Sequence, residues 1–376
     1  MRTPQKHMVS AASCLLLMAA PAQAQFYYTA SNGVATIVEY AGPGGAVNIP
    51  GAISGMPVII GSYAFDDDTS VEVVNISNGV ISIEPAAFLN CTSLASVTVP
   101  GSVSSIQEYA FYYCTNLTNI VIENGVTDIG PWAFLMDYSL ASISIPGSVT
   151  NVESYCFEWC TGLKYVTLAN GVQNIGGSTF EYCTNLISVT MPDTVTTIGF
   201  AAFFDCTSMP TITIGKGVAT MGEYAFNYCT SLTGVYFRGN PPTVDLITTD
   251  TTLFHADHNV TVYYLPGTTG WSSLWHSLYC SKPAVLWNAV IGTPSLETGS
   301  NIVTANDATA SDTAGALSFG FNIAGTPNIP VVVEACNNLA NPVWTPLQAV
   351  TLAGGSAHFS EPMQSVPGRF YRLTHP

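Results

Sequence analysis

Six cysteines, Cys91, Cys114, Cys160, Cys183, Cys206 and Cys229, fall on one 23-residue register. Thiols could be disulfide partners or metal ligands, and either role needs them to converge. Residues at one position of successive repeats lie in parallel, so these six predict a buried thiol ladder with no metal site. Cys156 falls beside the ladder and reads as core, while a bond between Cys280 and Cys336 stays open. His255 and His258 flank Asp257 with a spacing that can hold zinc on a helix; here they precede a strand, and no third ligand is evident. The chain has no glycine-rich phosphate loop, no nucleophile elbow and no paired carboxylates outside the repeating context. No catalytic residue and no cofactor are therefore expected, and a non-enzymatic protein is predicted.

Residues suited to recognition are more numerous. Tyr109, Tyr113, Trp132, Tyr155, Trp159, Tyr182, Tyr224 and Tyr228 each stand two residues before or after a phenylalanine of the repeat. Rows of amphipathic rings can stack on sugars or anchor a protein, or simply fill space between repeats. A second stripe comes from alternation in the strand: Ser96 and Thr98, Asn119 and Val121, Ser142 and Ser144, Tyr165 and Thr167, Ser188 and Thr190, Thr211 and Thr213, and Tyr236 should face outward. A Ser/Thr ladder with few charges suits hydrogen bonding to a polymer or protein, and it equally suits a plain soluble strand. The residues singled out for ligand binding are Tyr165, Thr167, Tyr236, Trp159, Tyr113, Tyr182, Tyr228 and Trp132.

The elements that position these residues follow from the period. Phe65, Phe88, Phe111, Phe134, Phe157, Phe180, Phe203 and Phe226 recur every 23 residues, the mark of a stacked repeat array. Six residues after each phenylalanine stands Leu, Val or Met (Leu94, Leu163 and Met209 among them), and nine after it stands Val or Ile. Further apolar positions follow at eleven, fifteen and eighteen. The two-residue spacing from nine to eleven is that of a strand, so each repeat predicts one coil with a short strand and a returning segment. Coils cannot bury their apolar faces alone, and stacking them makes a parallel sheet. After the strand, corners alternate between Asn-Gly (Asn78, Asn124, Asn170) and Pro-Gly or Pro-Asp (Pro100, Pro146, Pro192), which makes the effective unit 46 residues.

The pattern Phe-x-x-Cys-Thr-x-Leu-x-x-Val/Ile-x-Ile-Pro, with Val-x-x-Ile-Gly-x-x-Ala before the next phenylalanine, resembles the BspA-type leucine-rich-repeat family of bacterial surface proteins. The resemblance spans about Phe26 to Trp287. Asp68 and Asp137 depart from it where cysteine is usual, as does Tyr138 in place of threonine. It implies an extracellular repeat protein, in many relatives an adhesin or a ligand-binding surface antigen.

The remaining chain sets the context. Residues 1–24 read as an export signal, with Arg2 and Lys6, an apolar run from Val9 to Ala20, and Ala22-Gln23-Ala24 for cleavage. Without them the balance is 6 − 24 = −18, which repels phosphate backbones and argues against nucleic acid. No later run is apolar enough for a membrane helix. Residues 25–62 read as a hairpin cap turning at Ser31-Asn32-Gly33, and residues 63–287 as the solenoid, its last coil displaced to Phe254 and closed by Trp271, Trp275 and Trp287. Residues 288–315 read as a linker and 316–376 as a small antiparallel β-sandwich ending in Phe370-Tyr371-Arg372-Leu373, which resembles a terminal module of exported bacterial repeat proteins. A mainly β fold is expected, with the array binding a protein or glycan outside the cell. The alternative is a structural spacer that displays or anchors the terminal module.

Overall fold

A computed structural model of the 376-residue chain describes residues 26–245, 259–271, 284–287, 289–298, 301–303, 317–337, 343–362 and 370–375, together with 15–16, 253–254 and 257. His255, His258, Trp275, Cys280 and nearly all of the export signal lie outside the described residues. Two compact units are present, one of residues 1–261 and 269–283, the other of residues 262–268 and 284–376.

The first unit is a β-solenoid. Each 23-residue coil contributes a strand such as Ser142–Ile145 or Tyr165–Leu168, then a shorter strand of two to four residues such as Asn151–Val152 or Asn174–Ile175, then a run of turns carrying the repeat phenylalanine. Neighbouring coils pair in parallel with a shift of one repeat: Ile143 opposes Val166, and Val152 opposes Ile175. The short strands form one sheet from Val80–Ile83 to Thr243–Asp245. Inside, the alternation works as the spacing requires, with Val97, Leu117, Leu163, Val166 and Met209 buried. The phenylalanine rings stack along the axis, 4.6 Å apart at Phe65–Phe88 and 5.3 Å at Phe203–Phe226, and Phe254 continues the stack at 5.9 Å.

Cysteines run beside this column. All six ladder thiols are free and buried. Each donates to the carbonyl of a phenylalanine one coil back, as Cys91 does to Phe65 (3.0 Å) and Cys183 to Phe157 (3.2 Å). Burial pushes the thiols of Cys114 and Cys160 well above their ordinary pKa, which removes the thiolate needed for nucleophilic or metal chemistry. Asp137 takes the place of a cysteine in this ladder. Its Oδ1 accepts the Cys114 N–H at 2.7 Å, while Oδ2 is buried with no hydrogen-bond partner among the described residues.

The 46-residue superperiod has a steric cause. Gly125 and Gly171 adopt φ of 122° and 119°, and a Cβ on either would fall about 2 Å from the carbonyl oxygen of Gly101 or Gly147 in the preceding coil. Conversely, a Cβ on Gly101 or Gly147 would meet the Asn124 or Asn170 carbonyl. Corners of the two kinds nest glycine against glycine, so each kind requires the other as neighbour. The hydroxyl at the Pro-Gly corner completes the joint: Ser148 Oγ accepts the Gly125 N–H at 3.0 Å.

At the amino end, Phe26–Ser31 and Val34–Tyr40 pair antiparallel around Asn32 and Gly33, both at positive φ, the geometry of a two-residue hairpin turn. Val34–Tyr40 then joins Met56–Ile60 in parallel and so starts the long sheet. Tyr40 stacks on Phe65 at 5.0 Å, which extends the aromatic column into the hairpin.

The second unit holds two antiparallel sheets. One contains Ala289–Thr298, Asn301–Val303, Leu317–Gly325 and Ser356–Pro362; the other contains Thr345–Thr351, Pro330–Cys336 and Phe370–Thr374. Phe321 and Phe359 of the first meet Tyr371 of the second at 5.5 and 5.9 Å. Residues 289–298 and 301–303, expected within a linker, are strands; their Ser/Thr-rich composition suits a sheet as well as a loop, and pairing with Leu317–Gly325 decides the matter. Trp287, expected to close the array, belongs to this unit, where its Nε1–H donates to the Pro330 carbonyl at 2.9 Å. Cys336 is free and buried.

Candidate functional site

The two outer stripes of the solenoid are built differently. On the strand stripe, Tyr165 is 54% exposed and Thr167 is exposed with it, flanked in register by Ser142 and Ser188. Ser144, Asn119, Val121 and Thr190 are also exposed, whereas Ser96, Thr98, Thr211 and Thr213 are half-buried. Tyr236, expected outward with them, is buried at 1% exposure. The reason lies two residues earlier. Gly234 occupies the outward position held elsewhere by Val, Ser, Thr, Asn or Tyr, and the Tyr236 ring lies back over it, where a Cβ would fall 2.9 Å from the ring. Tyr236 is therefore a packing residue and leaves the candidate set.

The turn stripe carries the aromatic rows, and its backbone is unusual. Tyr109, Trp132, Tyr155 and Tyr224, two before the phenylalanine, have φ between 55° and 61°; Tyr113, Trp159, Tyr182 and Tyr228, two after it, have φ between 60° and 62°. Bulky L-residues in the left-handed region cost about 1–2 kcal/mol each. The turn demands that conformation from every coil, since Asp67, Asn90, Ser178 and Asp205 adopt it at the same two positions. Glycine would satisfy it without strain. Retention of Tyr and Trp means that the side chain offsets the backbone cost. The N–H groups at these residues are satisfied by the next coil, as Trp159 N–H donates to the Glu181 carbonyl and Tyr182 N–H to that of Phe204, both at 2.9 Å. The recurring Asp and Asn were the available sequence signal for this geometry, because those residues tolerate left-handed backbone.

The rings form two rows. Tyr109, Trp132 and Tyr155 stack at 5.2 Å with planes within 8° of parallel. Trp159 stacks on Tyr182 at 4.2 Å, and the row goes on edge-to-face to Phe204 and then, with tilted planes, to Tyr228. Tyr113 meets Tyr138 edge-on at 5.9 Å. Trp159, Tyr113, Tyr155 and Tyr228 are exposed, Trp132 and Tyr182 half-buried. Between the rows stand Glu158 and Glu181, on adjacent coils. Partial burial, and then the Glu181 charge, push the Glu158 carboxyl up to about 7; burial likewise raises Glu181, with Asp205 adding to it.

This architecture is that of a leucine-rich-repeat solenoid. The model of the BspA type leucine-rich repeat region matches residues 58–186 and 150–249, in six copies, and the chain belongs to that family. Among solved structures, the leucine-rich repeat protein of T. pallidum is 31% identical, with 49% of this chain and 88% of that chain covered and a TM-score of 0.47. A leucine-rich repeat protein from Bacteroides ovatus is 23% identical over 70% of this chain and 77% of its own, also at 0.47. A leucine rich cell surface protein from Faecalibacterium prausnitzii is 19% identical over 72% and 99%, at 0.33. No curated protein matches the chain. Among the described residues, no helix is long and apolar enough to cross a membrane.

Proposed function

We propose that this protein is exported by cleavage near Ala24 and acts at or outside the bacterial surface as a non-enzymatic binding protein. It recognises a protein or glycan through the aromatic ridge of the turn stripe, with the exposed part of the strand stripe, Tyr165 and Thr167, beside it. One observation carries this reading: nine Tyr and Trp residues, Tyr63 included, occupy left-handed backbone positions that glycine would adopt without steric strain. Packing alone gives a weak reason to keep them, since Trp159 remains 38% exposed and Tyr155 36%. The buried, largely apolar interior, with thiols held protonated, supports a scaffold rather than a reaction centre. The second unit serves to anchor or sort the array. The test is to present the mature chain, residues 25–283 and residues 284–376 to an array of glycans and purified extracellular proteins. Binding by the chain and the repeat array supports the reading; attachment by the terminal unit alone would leave the array a spacer.

A further inference from the structure

An asparagine followed by glycine is the pair most prone to lose its side-chain amide, because no side chain shields the glycine nitrogen from the asparagine carboxamide. Four such pairs occur: Asn32-Gly33 in the hairpin cap, and Asn78-Gly79, Asn124-Gly125 and Asn170-Gly171 at corners of the array. All four asparagines are exposed, and all four glycines have positive φ. Two of the pairs even share their flanks, since residues 31–34 and 77–80 both read Ser-Asn-Gly-Val. Local sequence and exposure therefore do not tell these sites apart. The packing around each glycine does.

At the corners, the peptide joining asparagine to glycine is held from both neighbouring coils. On one side, a Cβ on Gly101 would fall 2.1 Å from the Asn124 carbonyl oxygen, and one on Gly147 would fall 1.9 Å from that of Asn170. Gly51 is pressed against Asn78 in the same way. On the other side, the glycine N–H donates to a hydroxyl one coil further on: Gly79 to Ser102 Oγ at 3.1 Å, Gly125 to Ser148 Oγ at 3.0 Å and Gly171 to Thr194 Oγ1 at 3.1 Å. Ser102 and Thr194 donate their own protons to the carbonyls of Val80 and Val172, both at 2.8 Å, which leaves a lone pair for the glycine. Asn32-Gly33 has neither restraint. Gly33 is exposed, a Cβ there would meet nothing within 4 Å, and its N–H makes no hydrogen bond among the described residues.

We propose that Asn32 is a site of spontaneous covalent modification, converting to aspartate and isoaspartate, and that the corners of the array shield Asn78, Asn124 and Asn170 from the same reaction. The Gly33 nitrogen loses its proton and bonds to Asn32 Cγ, the Cγ–Nδ2 bond breaks, and the amide leaves with that proton as ammonia. A cyclic imide remains. Water then opens it at either carbonyl, giving aspartate, or isoaspartate with the main chain rerouted through Cγ. One water is consumed and one ammonia released, so no oxidant or other reactant is needed. At a corner the attacking nitrogen has its N–H engaged by a hydroxyl, and the nested glycines block the peptide rotation that would bring it onto Cγ. Isoaspartate also adds a methylene to the main chain, for which the solvent-exposed hairpin tip has room and the nested corner has none. The new carboxylate falls where Ser31 faces Val34, on the hairpin whose Phe26 and Tyr40 rings meet Phe65. Modification is thus confined to the cap, and the stacked coils are spared.

The test holds the mature chain in mildly alkaline buffer, samples it over weeks and cleaves it with chymotrypsin, reading each site by peptide mass and by chromatography that separates isoaspartate. Asn32 should convert first, with the three corner asparagines slower by about tenfold or more, because they react only when a corner opens. Asn32 and Asn78 make the sharpest pair, having the same flanking residues. In urea, where packing is lost, the rates of these two should come together. Ser148→Ala removes the hydroxyl from Gly125 alone and should speed Asn124 about fivefold while Asn170 stays slow. A circular dichroism melt checks that this variant is folded; if it melts early, the comparison of Asn32 with Asn78 in the unaltered chain decides. Equal rates at Asn32 and Asn78 in the folded protein, a corner asparagine converting ahead of Asn32, or a difference that survives in urea would overturn the proposal. An Asn124 rate indifferent to Ser148→Ala in folded protein would overturn the part given to the hydroxyl.

Discussion

The strand stripe and the turn stripe are made by the same 23-residue repeat, yet they obey different constraints. On the strand stripe, an extended backbone accepts any β-compatible residue, and the outward positions fill with Ser, Thr and Asn, neutral and without strain. On the turn stripe, the backbone is left-handed twice per coil and the residues there are largely aromatic, next to carboxylates with no basic partner in the same segments. A residue kept against its backbone preference tells more about selection than one that merely fits. That contrast is why recognition is placed on the turn stripe, and why the Ser/Thr ladder ranks behind it.

Several substitutions can break or sharpen the contrast. The largest effect belongs to what both stripes share: Phe157→Ala should destabilise the array by about 3–5 kcal/mol, seen in urea or thermal unfolding, because its ring is stacked on both sides in a fully buried column. Tyr236→Ala comes next. As a buried residue it should cost about 3 kcal/mol, while its counterpart Tyr165→Ala, outward on another coil, should change stability by less than about 0.5 kcal/mol. Similar small losses at both would mean that Tyr236 is a surface residue.

Asp137 gives a smaller effect with a sign that depends on pH. Burial holds its carboxyl well above the usual range, so the folded protein keeps a proton that the unfolded chain releases. Stability from this group is complete below the unfolded pKa near 4 and declines as pH rises toward the raised folded value. The groups facing it are Cys114, Cys156 and Cys160, themselves held protonated by burial, with no cation among them. Asp137→Asn keeps an acceptor for the Cys114 N–H and adds a donor, directed to the Phe111 carbonyl by analogy with the neighbouring thiols. It should stabilise the protein by about 1–3 kcal/mol at pH 7.5 and flatten the fall in thermal midpoint between pH 5 and 7.5. An unchanged pH profile would place the dependence elsewhere.

The backbone argument predicts the smallest and most diagnostic difference. Trp159→Gly relieves the left-handed strain that Trp159→Ala retains, so the glycine variant should be the more stable by about 1 kcal/mol. At Tyr165, on an extended strand, the order should reverse, with Gly worse than Ala.

Much of this molecule was legible as sequence because a repeat states its rule eight times. The phenylalanine column, the inward strand positions, the hairpin at Asn32-Gly33 and the displaced Phe254 all follow from period and alternation. Tyr236 was misread because alternation fixes the side of the strand a residue leaves from, not where its ring ends, and Gly234 opened the way back. The left-handed turn was hidden because tyrosine and tryptophan give no hint of it; only Asp67, Asn90 and Asp205 at the same position do. Beyond the array, composition could not separate a Ser/Thr-rich strand from a linker, since pairing with a distant partner, Leu317–Gly325, makes the difference.

The most direct test compares three folded proteins on one array of glycans and purified extracellular proteins: the mature chain, a ridge variant with Trp159→Gly and Tyr182→Gly, and a strand variant with Tyr165→Ser and Thr167→Ala. The account predicts that the ridge variant loses the partners of the mature chain while the strand variant retains most of them. Loss in the strand variant with the ridge variant unaffected would contradict it.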